Sequence, residues 1–404
     1  MDKNTMAAML FLLDSSSSSE DSFLLGSSSS SSSSDSSFFD LVLKNTGDSS
    51  SDDEDDDDQQ EEKQFNFMDT IDKFSEREFK TNLRLNRTTM EQLIAKYTQS
   101  EIFTNVKNQN SKLKIDARIE VTLYVWYISH NNEVSQIGCL FRITEFSVWT
   151  AIVRVSNWLI SKGHEYIKWP QGDVISENCR KFKAIKQMPG IIGAINCLHI
   201  PIEAPKRDAK SYLNSPNHYT IVLQAVVDAD EKFVDICCGE PGSSTNRTVL
   251  TKSSLYKRVQ DNYVKLFPSN TFLLGGDAYD ATNWIVPPFK DNGELTDQQS
   301  LFNNLHSDTW MVVENVFKKL KGRFRRLNRF TQQQNPNLVS NIIASSCILY
   351  NLCIINDDQY DVLIDDEEQV LAGDSDEGDD KENLEISMDR RQLLFDYLCQ
   401  KNII

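Results

Sequence analysis

The chain has 404 residues, of which 39% are hydrophobic, enough for two domains with buried cores and additional tails. Its net charge of −18 argues at first against a protein that binds nucleic acid. The charge is unevenly distributed, however, because residues 1–64 have a net charge of −13 and residues 356–383 a net charge of −12, which leaves a basic span 65–355 of about +7 that can hold a polyanion.

Residues 1–64 are of low complexity, with an unbroken serine run at 27–34 and an unbroken acidic run at 52–58. Such a composition cannot bury enough apolar surface to offset chain entropy, so we predict a disordered acidic tail. Two short apolar segments interrupt it, at 23–25 (FLL) and at 38–43 (FFDLVL). They are either incidental apolar spots or short partner-binding motifs that fold on contact.

Residues 65–170 are predicted to form a helical domain, and 133–160 is its most informative part. A short apolar helix, a turn at 142–144 and a longer helix with apolar residues at positions 148, 152, 155 and 159 are typical of a helix-turn-helix. Thr144 is a natural N-cap for the second helix, and we expect Thr144 and Ser147 to contact DNA there. An ordinary helical hairpin is the alternative.

Residues 171–355 change from helical to mixed periodicity. We predict three strands at 191–202, 220–227 and 233–238, a helix at 248–263, a fourth strand at 271–274 and helices at 301–327 and 338–352. This order predicts an α/β fold of the RNase H-like type, a mixed sheet flanked by helices. Residues 356–404 are predicted to be an acidic C-terminal tail with a short terminal helix.

Two carboxylates stand out by position within this domain. Asp277 follows the fourth strand directly, and Glu314 lies inside the long helix. Phosphodiester cleavage by two divalent metal ions uses acidic side chains from strand ends and a helix, because hard cations prefer oxygen ligands. On spacing alone, a solvated loop aspartate and a surface glutamate remain an alternative.

Several motifs occur together in one order between residues 80 and 355: IIGAINCLHIPI at 191–202, QAVVD at 224–228, PGS at 241–243, SSL at 253–255, GDAY at 276–279, VENVF at 313–317 and LKGRF at 320–324. Together they resemble the motifs of the Harbinger (PIF) superfamily of DDE transposases and their nuclease-like relatives. The resemblance implies the DDE type of RNase H-like domain, a Mg²⁺ or Mn²⁺ cofactor and a nuclear location. It also implies DNA as the substrate of phosphodiester hydrolysis or transfer, and a Myb-like DNA-binding protein as partner.

The resemblance places metal ligands at four positions, and two of them depart from the family pattern. Asp277 and Glu314 are retained, whereas Asn196 and Asn246 stand where the family usually has aspartate. An amide oxygen can ligate a metal but has no charge, so the loss of two carboxylates lowers metal affinity and removes the ligand that bridges the two ions. In addition, Trp310 replaces a usual arginine and Lys318 a usual glycine.

Three hypotheses of function follow from this pattern. The first is a transposase-derived, metal-dependent nuclease-like protein whose metal site is degraded, so that its enzymatic activity is left open. The second is a non-catalytic, domesticated protein that binds DNA or chromatin proteins, which suits the serine-rich and acidic tails. The third is a decaying transposon copy without a selected function.

The end of the long predicted helix is strongly basic. Six cations in this segment, followed by Arg329, are predicted to contact DNA phosphates: Lys318, Lys319, Lys321, Arg323, Arg325 and Arg326. A solvated helix face is the alternative. His199 and His306, in a predicted strand and a predicted loop, are interpreted as structural.

Cysteine usage and hydropathy exclude further classes. The eight cysteines form no CxxC pair, so a zinc module is not predicted and we expect reduced thiols in an intracellular protein. No secretory signal is recognisable, and we expect no stretch to reach the roughly 20 apolar residues of a membrane span. We therefore predict no membrane association.

Overall fold

The computed structural model describes residues 66–108, 115–215, 218–330, 335–360 and 390–404. The predictions for residues 1–64 and for most of the acidic C-terminal stretch lie outside these described residues. The helices are α1 Phe67–Lys73, α2 Glu76–Leu83, α3 Arg87–Thr98, α4 Glu101–Asn108, α5 Ala117–Ser129, α6 Val134–Phe141, α7 Glu145–Ser161, α8 Gly163–Tyr166, α9 Asp173–Lys186, α10 Asn246–Lys252, α11 Ser254–Leu266, α12 Asp297–Arg323, α13 Pro336–Ile355 and α14 Arg390–Gln400. The strands are β1 Ile191–Pro201, β2 Leu213–Ser215, β3 His218–Val227, β4 Phe233–Pro241, β5 Phe272–Gly275 and β6 Ile285–Val286.

The predicted helix, turn and helix at 133–160 are present as α6 and α7. Thr144 is the N-cap of α7, because its side chain accepts a hydrogen bond from the backbone N–H of Ser147. Arg142 ends α6 in the left-handed conformation, which turns the chain sharply towards α7. Most of α7 is buried, since it packs against α5, α6 and α13.

The sheet has the mixed topology predicted for an RNase H-like domain. Strand β1 lies between β3, to which it is antiparallel, and β5, to which it is parallel. Strand β4 pairs antiparallel with β3 on the far side from β1, and β6 continues the sheet parallel to β5. Nearly every residue of β1 is buried, as expected for a strand that helices cover on both faces.

One hydrophobic core continues from the helical region into the sheet. It includes Phe67 to Leu159 in the helices, Ala194 to Phe233 in the strands and Leu338 to Cys353 in α13. The change of periodicity near residue 170 therefore marks a change from helices to sheet, not a division between two cores.

Several local predictions differ from the structure. The helix expected at 248–263 is two helices, because the Ser253 side chain accepts a bond from the Tyr256 N–H and starts a new helix. The short strands β2 and β6 were not predicted, and β6 has only two residues. His306 lies in α12 and not in a loop, and α12 ends at Arg323, after which a 3₁₀ turn follows.

Helix α13 corrects the expectation that no stretch is long and apolar enough to span a membrane. Its 20 residues, Pro336–Ile355, meet that test by length and composition, and two thirds of its most apolar window is buried in the fold. It contacts α7 and β4 as a core helix. At the opposite edge of the sheet, α14 buries Leu394 and Leu398 in a cluster with Val286 of β6.

Candidate active site

The centre of the candidate site is a contact between β1 and α12. The Asn196 side chain donates a hydrogen bond from Nδ2 to Oε1 of Glu314 at 2.5 Å. Glu314 is 9% exposed, and burial raises the pKa of its carboxyl, against the opposing effects of the Asn196 bond and the Lys318 charge. The fold thus brings together two of the four predicted metal ligands, and their contact is an amide–carboxylate hydrogen bond.

Trp310 lies one helical turn before Glu314 on the same face of α12. Its indole Nε1 donates to the backbone oxygen of Ile195 at 3.1 Å. A Cβ atom added to Gly276 would come within 3.1 Å of the Trp310 ring and 3.4 Å of Asn196 Oδ1. The indole therefore fills the space between the long helix and the ends of β1 and β5.

Asp277 lies beside this pair because β1 and β5 are parallel. Ile195 pairs with Gly275, so the next residues along each strand, Asn196 and Gly276, are adjacent. Asp277 itself is exposed to solvent. The loop behind it is anchored by buried Tyr279, whose hydroxyl donates to Oε1 of Gln224 at 3.3 Å.

This anchoring explains part of the GDAY motif in physical terms. A side chain at position 276 would crowd the Trp310 ring, since an added Cβ would lie 3.1 Å from it, and Tyr279 fixes the loop to β3. The roles of Gln224 and Tyr279 were not predicted from the sequence. The motif indicated their positions, but the residue types alone do not show which atoms meet.

Asn246 is the first residue of α10 and is half-buried. Among the described residues it forms no hydrogen bond with Asn196, Asp277 or Glu314. The neighbouring Arg247 guanidinium lies 3.6 Å from the carboxylate of Asp280, so the start of α10 is close to the loop after β5. The structure therefore places Asn246 near the site but does not join it to the other three positions.

Part of the predicted phosphate-binding stripe needs correction. Arg326 is fully buried, donates to the backbone oxygens of Tyr127 and Asn132, and stacks over the Tyr127 ring. Arg323 is 4% exposed and donates to the backbone oxygen of Asp358. Both guanidinium groups stabilise the fold and are not accessible to DNA.

The other four cations of this segment differ in their surroundings. Lys319 forms an ion pair with Glu231 and is 43% exposed at its side chain. Lys318, Lys321 and Arg325 are half-buried, and the Lys318 charge acts on Glu314. Composition predicted a continuous stripe, but burial divides it into structural and solvent-accessible cations.

The predicted DNA contacts at the start of α7 also differ from each other. Ser147 is 6% exposed, and its hydroxyl lies 3.0 Å from the hydroxyl of Thr144. Thr144 is exposed, beside Glu145 and Phe146. Only Thr144 of this predicted pair is therefore accessible to DNA in the structure.

The comparisons with known proteins agree with the fold and the motif order. Residues 195–351 match the family model described as DDE superfamily endonuclease, and this range contains all four candidate ligand positions. The chain therefore contains a DDE endonuclease domain with a preceding helical region. No solved structure matches the chain significantly.

Two named relatives are similar to this chain over more than half of its length. It is 27% identical over 364 residues to the ALP1-like protein of Arabidopsis thaliana, which covers 83% of this chain and 87% of that protein. It is 26% identical over 223 residues to HARBI1 of Rattus norvegicus, covering 54% of this chain and 62% of that protein. The chain is a homologue of these Harbinger transposase-derived proteins, and its residues 195–351 form a nuclease-like domain of the DDE endonuclease type.

DDE superfamily endonucleases use divalent metals, so the fit of such a metal to these residues can be tested. Among the described residues, no group of three or more His, Cys, Asp or Glu side chains is placed to hold a metal ion. The Glu314 carboxylate already accepts the Asn196 amide, and Trp310 fills the adjacent space. The residues present therefore do not fit a two-metal centre.

Proposed function

We propose that this chain is a nuclear DNA-binding protein that does not cut DNA by the two-metal mechanism of its family. The observation that supports this most directly is the bond from Asn196 to Glu314. The Asn196 amide donates its N–H to the buried carboxylate of Glu314. A position where the family has a negatively charged metal ligand therefore forms a hydrogen bond to another ligand position.

DNA remains the polyanion that best fits the molecule. The span 65–355 has a net charge of about +7, and exposed cations such as Arg247 lie near the end of the sheet that holds Asp277. Sequence-independent contacts to phosphates need only such accessible cations. We further propose that Thr144 and the accessible part of the basic segment, Lys318, Lys321 and Arg325, contribute contacts.

Chromatin proteins are the partners that the comparisons favour. One relative in Arabidopsis thaliana is named antagonist of like heterochromatin protein 1, and it is 26% identical over 236 residues, covering 56% of this chain and 59% of that protein. The acidic tails, with net charges of −13 and −12, suit binding to basic chromatin proteins. A Myb-like DNA-binding protein is a second proposed partner, on the family resemblance.

A cleavage and binding assay on the full-length protein tests this proposal. Wild type is compared with Glu314→Gln and with the double restoration Asn196→Asp, Asn246→Asp, each with Mg²⁺ and with Mn²⁺. We expect wild type to bind duplex DNA without cutting it and to take up no Mn²⁺ in calorimetry. The restored variant should bind Mn²⁺, because two carboxylates return to the site.

Two outcomes would contradict the proposal. Metal-dependent cleavage by wild type that is lost in Glu314→Gln would show that the amides suffice and that the protein is a nuclease. Failure of wild type to bind DNA at low salt would remove the DNA-binding function itself.

A further inference from the structure

One side of helix α7 is only partly covered by the rest of the fold. Trp149 and Val153 are half-buried against the core, and Asn157 accepts a hydrogen bond from the side chain of Asn341 in α13. Phe146, Trp149, Val153, Asn157 and Ile160 recur at every third or fourth position and therefore lie on one face of the helix. Phe146 is 46% exposed and Ile160 37% exposed, whereas the remainder of α7 is mainly buried. Four of the five residues on this face are apolar, and we call Phe146, Trp149, Val153 and Ile160 the α7 stripe.

The size of the α7 stripe limits what can cover it. From Phe146 to Ile160 the helix rises by about 21 Å, at about 1.5 Å per residue. A stable dimer needs roughly 800 Å² and 20–30 residues from each partner, far more than four partly exposed side chains supply. A short segment with a few large apolar side chains is the occupant that matches this area.

The path of the chain brings such a segment close to the stripe. Phe67, at the start of the described chain, packs with its ring centroid 5.2 Å from that of Phe141, the last residue of α6. Phe141 is three residues before Thr144, the N-cap of α7. The described chain therefore begins beside the α6–α7 junction, where the stripe begins.

The sequence before Asn66 contains the hexapeptide FFDLVL at 38–43. The 22 residues from 44 to 65 separate it from the body, and a chain of this length can reach at most roughly 75 Å. The hexapeptide can therefore reach any part of the stripe, whose length is about 21 Å.

We propose that residues 38–43 of the same chain dock on the α7 stripe and cover it. The tether makes the contact intramolecular, at an effective concentration in the millimolar range, so a weak apolar contact is enough to keep the stripe occupied. The stripe would then be available to other proteins only when this segment is displaced. This inference is independent of whether the chain binds or cuts DNA.

Photo-cross-linking of the full-length protein tests the proposal. Phe146 is replaced by the photo-reactive p-benzoylphenylalanine, and the matched control carries the same residue at Val264, an exposed apolar position on α11 that is 71% exposed. We expect cross-links from position 146 to the peptide that contains residues 38–43, and none from position 264. The double substitution Phe38→Ser, Phe39→Ser should lower the yield at position 146 by about fivefold or more, because two large apolar contacts are lost.

A mixture of ¹⁴N- and ¹⁵N-labelled protein identifies the source of each cross-link. Mixed-isotope products would show that a second copy covers the stripe, and would overturn the intramolecular docking. Equal yields at positions 146 and 264, an unchanged yield after the double substitution, or no cross-link to residues 38–43 would each overturn it as well.

Discussion

Residue 196 is an amide where the family usually has a carboxylate, and this difference decides whether the buried Glu314 carboxylate needs a cation beside it. Two carboxylates in contact repel each other unless a cation lies between them. The Asn196 amide removes that requirement, because it donates a hydrogen bond to Glu314 where a second carboxylate could only accept. The Trp310 ring fills the space next to Asn196 and Gly276.

The variant Asn196→Asp tests this account through stability. In EDTA we expect its free energy of unfolding to fall by about 1–3 kcal/mol, since a half-buried donor is replaced by a like charge beside Glu314. Excess Mn²⁺ should restore part of this loss, because a ligand that binds only the folded state stabilises it. Urea denaturation with and without the metal measures both effects.

Asn178 provides the matched control for that experiment. Asn178 is more deeply buried than Asn196, and it donates to the backbone oxygen of Ile192 and not to Glu314. Asn178→Asp should lose stability with no recovery in Mn²⁺. Equal behaviour of the two variants would show that position 196 has no special relation to a metal site.

At the scale of elements, a buried polar network joins three helices of the N-terminal region. Glu120 of α5 forms an ion pair with Arg154 of α7 and accepts a hydrogen bond from the Tyr97 hydroxyl of α3 at 2.5 Å. Glu120 is 1% exposed and Arg154 7% exposed. Removing two charged groups from water costs free energy, which their mutual attraction offsets only while both partners are present. Loss of one partner leaves the other charge buried and unpaired.

We therefore expect Glu120→Ala to lower the free energy of unfolding by about 3–5 kcal/mol, because it leaves the Arg154 cation buried without its partner. The double variant Glu120→Leu, Arg154→Met should be less destabilised than Glu120→Ala alone, since no unpaired charge remains. Urea denaturation of the full-length variants measures this order. The reverse order would show that the ion pair itself supplies net stability.

The elements also show how far sequence predicts this fold. The β1 strand and the α6–α7 pair were predictable because their apolar patterns are long and regular, and Thr144 is a residue type that caps helices. The two-residue β6 has no pattern that distinguishes it from a loop. Its strand geometry comes from pairing with β5, a tertiary contact.

The sequence likewise predicts some features of the candidate site and not others. The motif order located Asn196, Asp277 and Glu314, but sequence alone does not show that the amide of residue 196 faces Glu314. The error over Arg323 and Arg326 has a related cause. Charge can be counted from sequence, whereas a cation that stacks on Tyr127 and binds backbone oxygens is buried only through long-range contacts.

At the scale of the whole molecule, two parts of opposite charge belong to one chain. The span 65–355 has a net charge of about +7, and the two acidic stretches together have −25. Because the stretches are covalently attached, we expect them to compete with DNA, the proposed ligand, for the cations of the body at high effective concentration. The affinity for DNA should therefore reflect a balance between these parts.

Neutralising the acidic run at 52–58 tests this competition. The variant has seven substitutions, which are Glu54→Gln and the change from Asp to Asn at positions 52, 53 and 55–58. The length and the rest of the chain are unchanged. We expect this variant to bind duplex DNA about 3–10-fold more tightly than wild type at low salt, with the difference shrinking as salt screens the charges.

Seven Ser→Asn changes in the serine run 27–34 give a control of the same size and unchanged charge, which should bind as wild type does. Fluorescence anisotropy over a range of salt concentrations measures all three proteins. If neutralisation left both the affinity and its salt dependence unchanged, the acidic run would not compete with DNA, and its role would lie in contacts with other partners.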